Sequence, residues 1–216
     1  MIMSHSVHPK AFRLKSLKDW DSRWFDQKKM SQYLEEDFKI RKILDSKIKR
    51  LGVEKIEIER FPGKIIVIVS SARPGLIIGR GGEGIEILKK ELLKSAFKGS
   101  QKREVRLEIR EIKDPWSSAP LVAQWVAQQI EKRISHRRAM KQAIEKVMAM
   151  KGNQGVRIEL AGRLGGAEIA RREWLKKGNL PRQTIRANID FARDGAVCAY
   201  GIVGIKVWIY KGEVFE

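Results

Sequence analysis

Residues 72–88, ARPGLIIGRGGEGIEIL, constrain this chain more than any other stretch. They join KIIVIVS at 64–70, which reads as a buried strand, to a helix expected from about 83 to 97. That helix carries Ile85, Leu88, Leu92 and Ala96 on one face. The glycines in the stretch satisfy two spacings at once. Gly79, Gly81 and Gly84 fit G-x-G-x-x-G, the phosphate cradle of dinucleotide-binding sheets. Gly79 and Gly82 fit G-x-x-G, a loop that lets a nucleic-acid backbone approach closely. Context separates the two. A dinucleotide cradle puts its first glycine at the tip of a strand, so that the turn drops straight into a helix. Here residues 72–78 intervene, and Pro74-Gly75 stops the strand from running on to Gly79. Glu104, the acidic residue about twenty positions on, would begin a strand where a ribose ligand ends one. The dinucleotide reading fails, and Gly84 then completes its pattern by accident.

The elements around the loop supply an order. A helix is expected from about 28 to 51, with Tyr33, Leu34, Phe38, Ile40, Ile43, Leu44, Ile48 and Leu51 near helical spacing and Gly52 as its stop. VEKIEIER at 53–60 alternates as a strand, Pro62-Gly63 turns the chain into 64–70, and a further strand is expected at 104–112. Helix, strand, strand, short helix, G-x-x-G, helix, strand is the order expected of a KH module. In that reading Gly79, Arg80, Gly81 and Gly82 form the nucleic-acid loop, with Arg80 as its cation and Ile77 and Ile78 as an apolar floor under bases. The next helix turns its N-terminal N–H groups toward phosphate.

DPWSSAP at 114–120 reads as a linker, with Ser117 and Ser118 able to cap a helix over 119–134. A second helix is expected at 136–150, a strand at 155–161, and a basic helix from about 166 to 177 ending at Gly178. TIRANIDF points Ile185, Ala187, Ile189 and Phe191 one way, Asp194-Gly195 reads as a hairpin turn, and VGIKVWIY forms the last strand. The expected domains are an arm over 1–27, a nucleic-acid-binding domain over 28–113, the linker 114–120 and a C-terminal α+β domain over 121–216.

Composition narrows the partner. The formal charge of +19 repels itself in a compact state, and a polyanion relieves that repulsion. Nucleic acid fits, because neutralised phosphates release counterions. A membrane surface does not, since the basic residues are spread along the chain and not gathered on one amphipathic helix. Cys198 is the sole cysteine, so an internal disulfide and a thiolate zinc cage are excluded. The first fifteen residues hold no apolar signal core, and the longest strongly apolar run is IIVIV at 65–69, which points to the cytoplasm. His5, His8 and His136 are too dispersed for a metal site, and no serine, histidine and acid arrangement suggests catalysis. The expectation is a protein with no catalytic residue, cofactor or metal.

Longer blocks carry a resemblance. VHP at 7–9 with Arg13-Leu14, Trp24-Phe25, ARPGLIIGRGG at 72–82, RRAMK at 137–141, GRLGGAEIARREW at 162–174, GNLPRQTIRANIDF at 178–191 and YGIVGIKVWIYKGE at 200–213 resemble the universal ribosomal S-three family over nearly the whole chain. The resemblance implies an α+β chain: a type II KH domain with a mixed three-stranded sheet packed on helices, then a C-terminal domain with a mainly antiparallel sheet. It also implies a structural constituent of the small ribosomal subunit that binds rRNA in the subunit head. The implied protein neighbours are ten and fourteen, with proteins four and five beside the mRNA entry. There, residues matching Arg137, Arg138 and Lys141 are implicated in positioning and unwinding mRNA. The competing function is a free KH regulator of particular RNAs.

The residues support a basic site on their own. Arg137 and Lys141 are four apart and Arg138 and Lys141 three apart, so the three crowd one helix edge. Like charges so placed repel in an isolated helix, and a phosphate across them reverses the sign. Residues 132–182 carry a net +10, which on its own also fits a merely solvated face. Arg163, Arg171, Arg172, Lys176, Lys177 and Arg182 are further candidates for phosphate contacts that position RNA without reading sequence. Trp116, Trp125, Trp174 and Trp208 read as core or interface residues, with Trp208 the best candidate for base stacking.

Overall fold

A computed structural model describes residues 7–13, 20–96 and 104–214. They divide into two compact units, one drawn from Met1–Lys18 and Asp114–Glu216, the other from Asp19–Lys113. The units part at 18/19 and 113/114; the second lies where the sequence places the end of the nucleic-acid-binding domain, and the first lies within the expected arm. The expected arm belongs partly to each unit, and the expected linker belongs to the C-terminal one.

The first described element, α1 (Pro9–Phe12), is a single turn of the C-terminal unit. The other unit contains β1 (Ser22–Arg23), α2 (Met30–Ile48), β2 (Val53–Phe61), β3 (Lys64–Ser71), α3 (Pro74–Ile78), α4 (Glu83–Ala96) and β4 (Glu104–Glu111). The expected mixed sheet is present: β2 and β3 are antiparallel, β3 and β4 parallel, and the two-residue β1 adds a parallel edge to β2. Parallel neighbours cannot be joined by a hairpin, so the chain must cross back over the sheet. The α3–loop–α4 segment is that crossover, and its glycines lie at the bend between the two helices. Ile40, Leu44 and Ile48 of α2, Ile77 of α3 and Leu88 and Leu92 of α4 pack on Ile58, Val67, Val69 and Val105. α2 ends in a 3-10 turn that stops at left-handed Gly52. Its buried stripe differs from expectation. Leu34 and Phe38 are exposed, while Asp37 is buried because Arg60 and Trp24 satisfy its carboxylate.

In the C-terminal unit a 3-10 turn at Pro115–Ser117 leads into α5 (Ala119–Glu131) and α6 (His136–Ala149). These helices cover one face of a wholly antiparallel sheet ordered β6-β5-β8-β7. Its strands are β5 (Gly155–Gly162), β6 (Arg171–Gly178), β7 (Ala187–Cys198) and β8 (Gly201–Glu213). Val122, Val126, Met140, Ala143 and Val147 from the helices meet Val156, Ile158, Leu160, Val203, Ile205, Val207 and Ile209 from the sheet.

Three expectations differ from the structure. The basic segment before Gly178 is a strand, because pairing with β5 satisfies its backbone and outweighs the helix-favouring Arg, Glu, Leu and Lys. Asp194-Gly195 lies inside β7, and the hairpin turns instead at Ala199-Tyr200, between paired Cys198 and Gly201. Ile189 and Phe191 face away from the helices, because Ala192 and Ala196 take the helix side of the same strand. Ile189 joins Leu180, Ala187 and Tyr210 in a small second core, while Phe191 packs on Trp208 and His8. Lastly, neither serine caps α5 as expected. Ser118 makes no side-chain cap bond, and Ser117 bonds Asn153. The first amide, Ala119 N–H, donates to Asp190 Oδ2 at 2.8 Å.

That carboxylate sits at the positive end of α5 and pairs with Lys10 at 3.2 Å. Asp190→Ala is expected to remove about 1 kcal/mol of stability, in the range of lost helix caps. A thermal melt should show a fall of about 2–4 °C for a chain of this size.

Candidate nucleic-acid interface

The glycine loop is built by close backbone approach. Gly79, Gly81 and Gly82 all have positive φ, at 73°, 64° and 85°, so the chain leaves α3, makes a 3-10 turn over Arg80–Gly82 and enters α4 at Glu83. A Cβ on Gly81 or Gly82 would meet nothing within 4 Å, and Arg80 is exposed and without an ion pair among the described residues. Gly84 is no accident of pattern. A Cβ there would lie 2.5 Å from the Ile77 carbonyl oxygen and 2.9 Å from that of Ile78. Only glycine lets the first turn of α4 press on the end of α3. Ile77 is buried in the core and so cannot serve as the floor under bases expected of it; Ile78 is half-buried. What the loop offers is exposed backbone, one cation and the N-terminus of a 14-residue helix.

The second cluster lies on α6. Ala139, Met140 and Ala143 bury the inner face, which leaves Arg137, Arg138 and Lys141 exposed on the other. Arg138 and Lys141 make no ion pair among the described residues. Arg137 Nε lies 3.3 Å from Glu173 Oε2 on β6, which also contacts His136 Nε2 at 3.1 Å. Arg171 Nε reaches the other oxygen of Glu173 at 2.8 Å. The hydrogen bond from Arg137, seconded by His136, holds the Glu173 carboxyl below the usual carboxylate range against an opposing desolvation. A lowered value means the tether is intact at neutral pH and weakens only as the pH falls through that lowered value. Arg133, in the turn before α6, holds a left-handed φ of 62° and is exposed. Glycine is the easier occupant of such a position, so the side chain there points to use of its charge. Its only sequence signal was the net charge of the window.

The remaining candidates divide. Arg171 and Lys177 fall on the α6 face of β6, Arg172 and Lys176 on the open face, as their partners in β5 dictate. Arg172 reaches Glu159 at 3.4 Å, whereas Lys176 and Lys177 make no ion pair among the described residues. Arg163 donates from Nε to the Ala167 carbonyl at 2.9 Å and lies over Tyr200, so part of its role is to hold its own turn. Arg182 is exposed, and its carbonyl accepts from Arg13 at 2.9 Å. Arg13 went unassigned in sequence. Its buried guanidinium also donates to the carbonyls of Pro9, Pro181 and Thr184, and so fixes the loop that presents Arg182. Trp116 and Trp125 pack edge to face beside the core. Trp208 is half-buried, and the exposed tryptophan of the sheet is Trp174. Among the described residues no three His, Cys, Asp or Glu side chains gather into a metal-binding group.

Comparison with known proteins agrees with this arrangement. Residues 39–117 match the model of the KH domain, and residues 126–209 match that of the C-terminal domain of ribosomal protein S3. The chain is 49% identical over 213 residues to the small ribosomal subunit protein uS3 of Caldicellulosiruptor saccharolyticus, covering 98% of this chain and 94% of that protein. Its counterpart in Carboxydothermus hydrogenoformans is 48% identical, with 98% and 93% covered. That of Endomicrobium trichonymphae is 48% identical over 215 residues, with 99% and 90% covered.

Proposed function

The chain belongs to the small ribosomal subunit protein uS3 family, and from that premise we propose that it binds rRNA in the subunit head and guides mRNA at the entry path. Membership makes it a structural constituent of the cytoplasmic ribosome and not an enzyme. The observation that carries the finer reading is the α6 edge, where Arg137, Arg138 and Lys141 stand exposed with, among the described residues, a single carboxylate, Glu173, in contact. Such an edge attracts phosphate without selecting bases, which suits a surface that must pass every message. The KH loop supplies a second contact with RNA backbone. The neighbours proposed are small-subunit proteins ten and fourteen, with proteins four and five at the entry.

Replacing Arg137, Arg138 and Lys141 together by alanine is expected to slow translation through a hairpin-containing mRNA more than through an unstructured one. Equal slowing on both messages would remove the unwinding role. The isolated protein should also lose salt dependence. With about 0.7 counterions released per single-strand phosphate contact, three lost contacts flatten the slope of log affinity against log salt by about 2. Co-sedimentation with small subunits at rising salt tests the ribosomal location, and a pool found mainly free would favour a KH regulator.

A further inference from the structure

We propose that the open face of the C-terminal sheet is a single-strand RNA platform on which one base stacks against Trp174. The proposal rests on the RNA-binding reading above and assigns a new site within it. Its basis is a stack of side chains that crosses all four strands. Trp174 of β6, Arg157 of β5, Trp208 of β8 and Phe191 of β7 follow one another across the face turned away from the helices. The Arg157 guanidinium carbon lies 4.4 Å from the Trp174 ring centroid and 5.6 Å from that of Trp208, and the Trp208 and Phe191 centroids are 5.1 Å apart. At the β7 end the stack is closed by the chain itself, because His8 meets Phe191 edge-on at 4.9 Å. At the β6 end it is open. Trp174 is 51% exposed, and its strand is the edge of the sheet.

The platform is held in place before any ligand arrives. Arg157 is fixed by Glu159 at 3.0 Å, and both side chains are largely buried. A base laid on Trp174 would therefore extend an ordered stack. The flanks suit its phosphates. Arg172 and Lys176 precede and follow Trp174 on the same face, in two-residue steps of about 7 Å along the strand. Lys206 adds a further cation beside Glu159, so positive charge exceeds negative around the ring. An aromatic surface flanked by cations is the combination that binds single strands without sequence preference, because every base has a stacking face. Pairing with a protein strand is disfavoured at the same edge by its run of Arg and Lys.

The test uses the full chain and a mixed-sequence single-stranded RNA carrying 2-aminopurine, with a duplex of equal length as comparison. Trp174→Ala and Trp174→Leu are each expected to weaken single-strand binding about tenfold, a typical loss for one stacked base. They should leave the salt slope and duplex binding unchanged, and Trp174→Tyr should restore most of the affinity. 2-Aminopurine emission should be quenched by the parent and by Trp174→Tyr but not by Trp174→Leu. Unchanged single-strand affinity in Trp174→Leu overturns the platform. If the Arg137, Arg138 and Lys141 variant still loses affinity, the RNA-binding reading survives that result. A parent chain that binds no RNA overturns both. Loss of a small-subunit protein contact in Trp174→Leu, with RNA affinity intact, overturns the platform in favour of a protein interface.

Discussion

Asp37→Ala is expected to destabilise the KH unit by about 3–5 kcal/mol, the loss that follows when one partner of a buried ion pair is removed. Asp37 is only 4% exposed. Its Oδ1 accepts from Arg60 Nε at 3.0 Å, and its Oδ2 accepts from Trp24 Nε1 at 3.0 Å. The Arg60 side chain is itself buried and otherwise reaches Glu36, the Tyr33 carbonyl and the Tyr33 ring. Alanine would leave this guanidinium out of water with one carboxylate and the Trp24 N–H without its acceptor. Arg60→Met combined with Asp37→Leu and Glu36→Gln is expected to recover most of the loss, because the cation and both carboxylates it pairs with go together. Urea denaturation of the full chain, followed by hydrogen exchange at α2 and β2 amides, reads the KH unit separately from the C-terminal one. A midpoint shift equivalent to less than about 1 kcal/mol, the worth of an ordinary hydrogen bond, would falsify the assigned role of Asp37.

Asp37 also shows what sequence could not supply. Periodicity placed α2 and most of its buried stripe, since Ile40, Leu44 and Ile48 repeat at helical spacing. It also counted Phe38 inward, because nothing local says that residue 37 will meet an arginine 23 positions on. The KH order was legible because its breaks are chemical: Gly52, Pro62-Gly63 and the glycine loop each force a turn. The C-terminal sheet was less so. Arg171–Gly178 is rich in helix formers, and its strand state comes from the free edge of β5, a partner that local propensity does not see. Asp194-Gly195 is a turn dipeptide overridden by a register that carries β7 to Cys198. Of the site, the α6 edge was legible because helical spacing brings its three cations together. The split of Arg171, Arg172, Lys176 and Lys177 over two faces was not, nor was the exposure of Trp174.

Gly84→Ala is expected to damage the KH loop more than any substitution within the loop itself. The added methyl would sit 2.5 Å from the Ile77 oxygen and 2.9 Å from the Ile78 oxygen, and both are backbone atoms that no rotamer change can move. The approach is tight from the other side too, since a Cβ on Gly79 would fall 3.1 Å from the Gly84 nitrogen. Either α4 backs away from α3 or the last turn of α3 opens. Overpacking of this kind costs about 3 kcal/mol at the upper end of its usual range. It also turns aside the helix N-terminus that the loop presents to phosphate. Gly81→Ala separates strain from collision: its φ of 64° is unfavourable for alanine, but nothing lies within 4 Å, so about 1 kcal/mol is expected. Arg80→Ala removes charge alone and should flatten the salt slope by about 0.7. These variants are best compared in a chain already lacking Arg137, Arg138 and Lys141, so that the remaining affinity for single-stranded RNA reports the KH loop. The expected order of loss is Gly84→Ala, then Gly81→Ala, with Arg80→Ala distinguished by its salt dependence. If Gly84→Ala keeps both its melting temperature and its RNA affinity, the contact between α3 and α4 relaxes cheaply, and the loop owes its shape to Gly79, Gly81 and Gly82 alone.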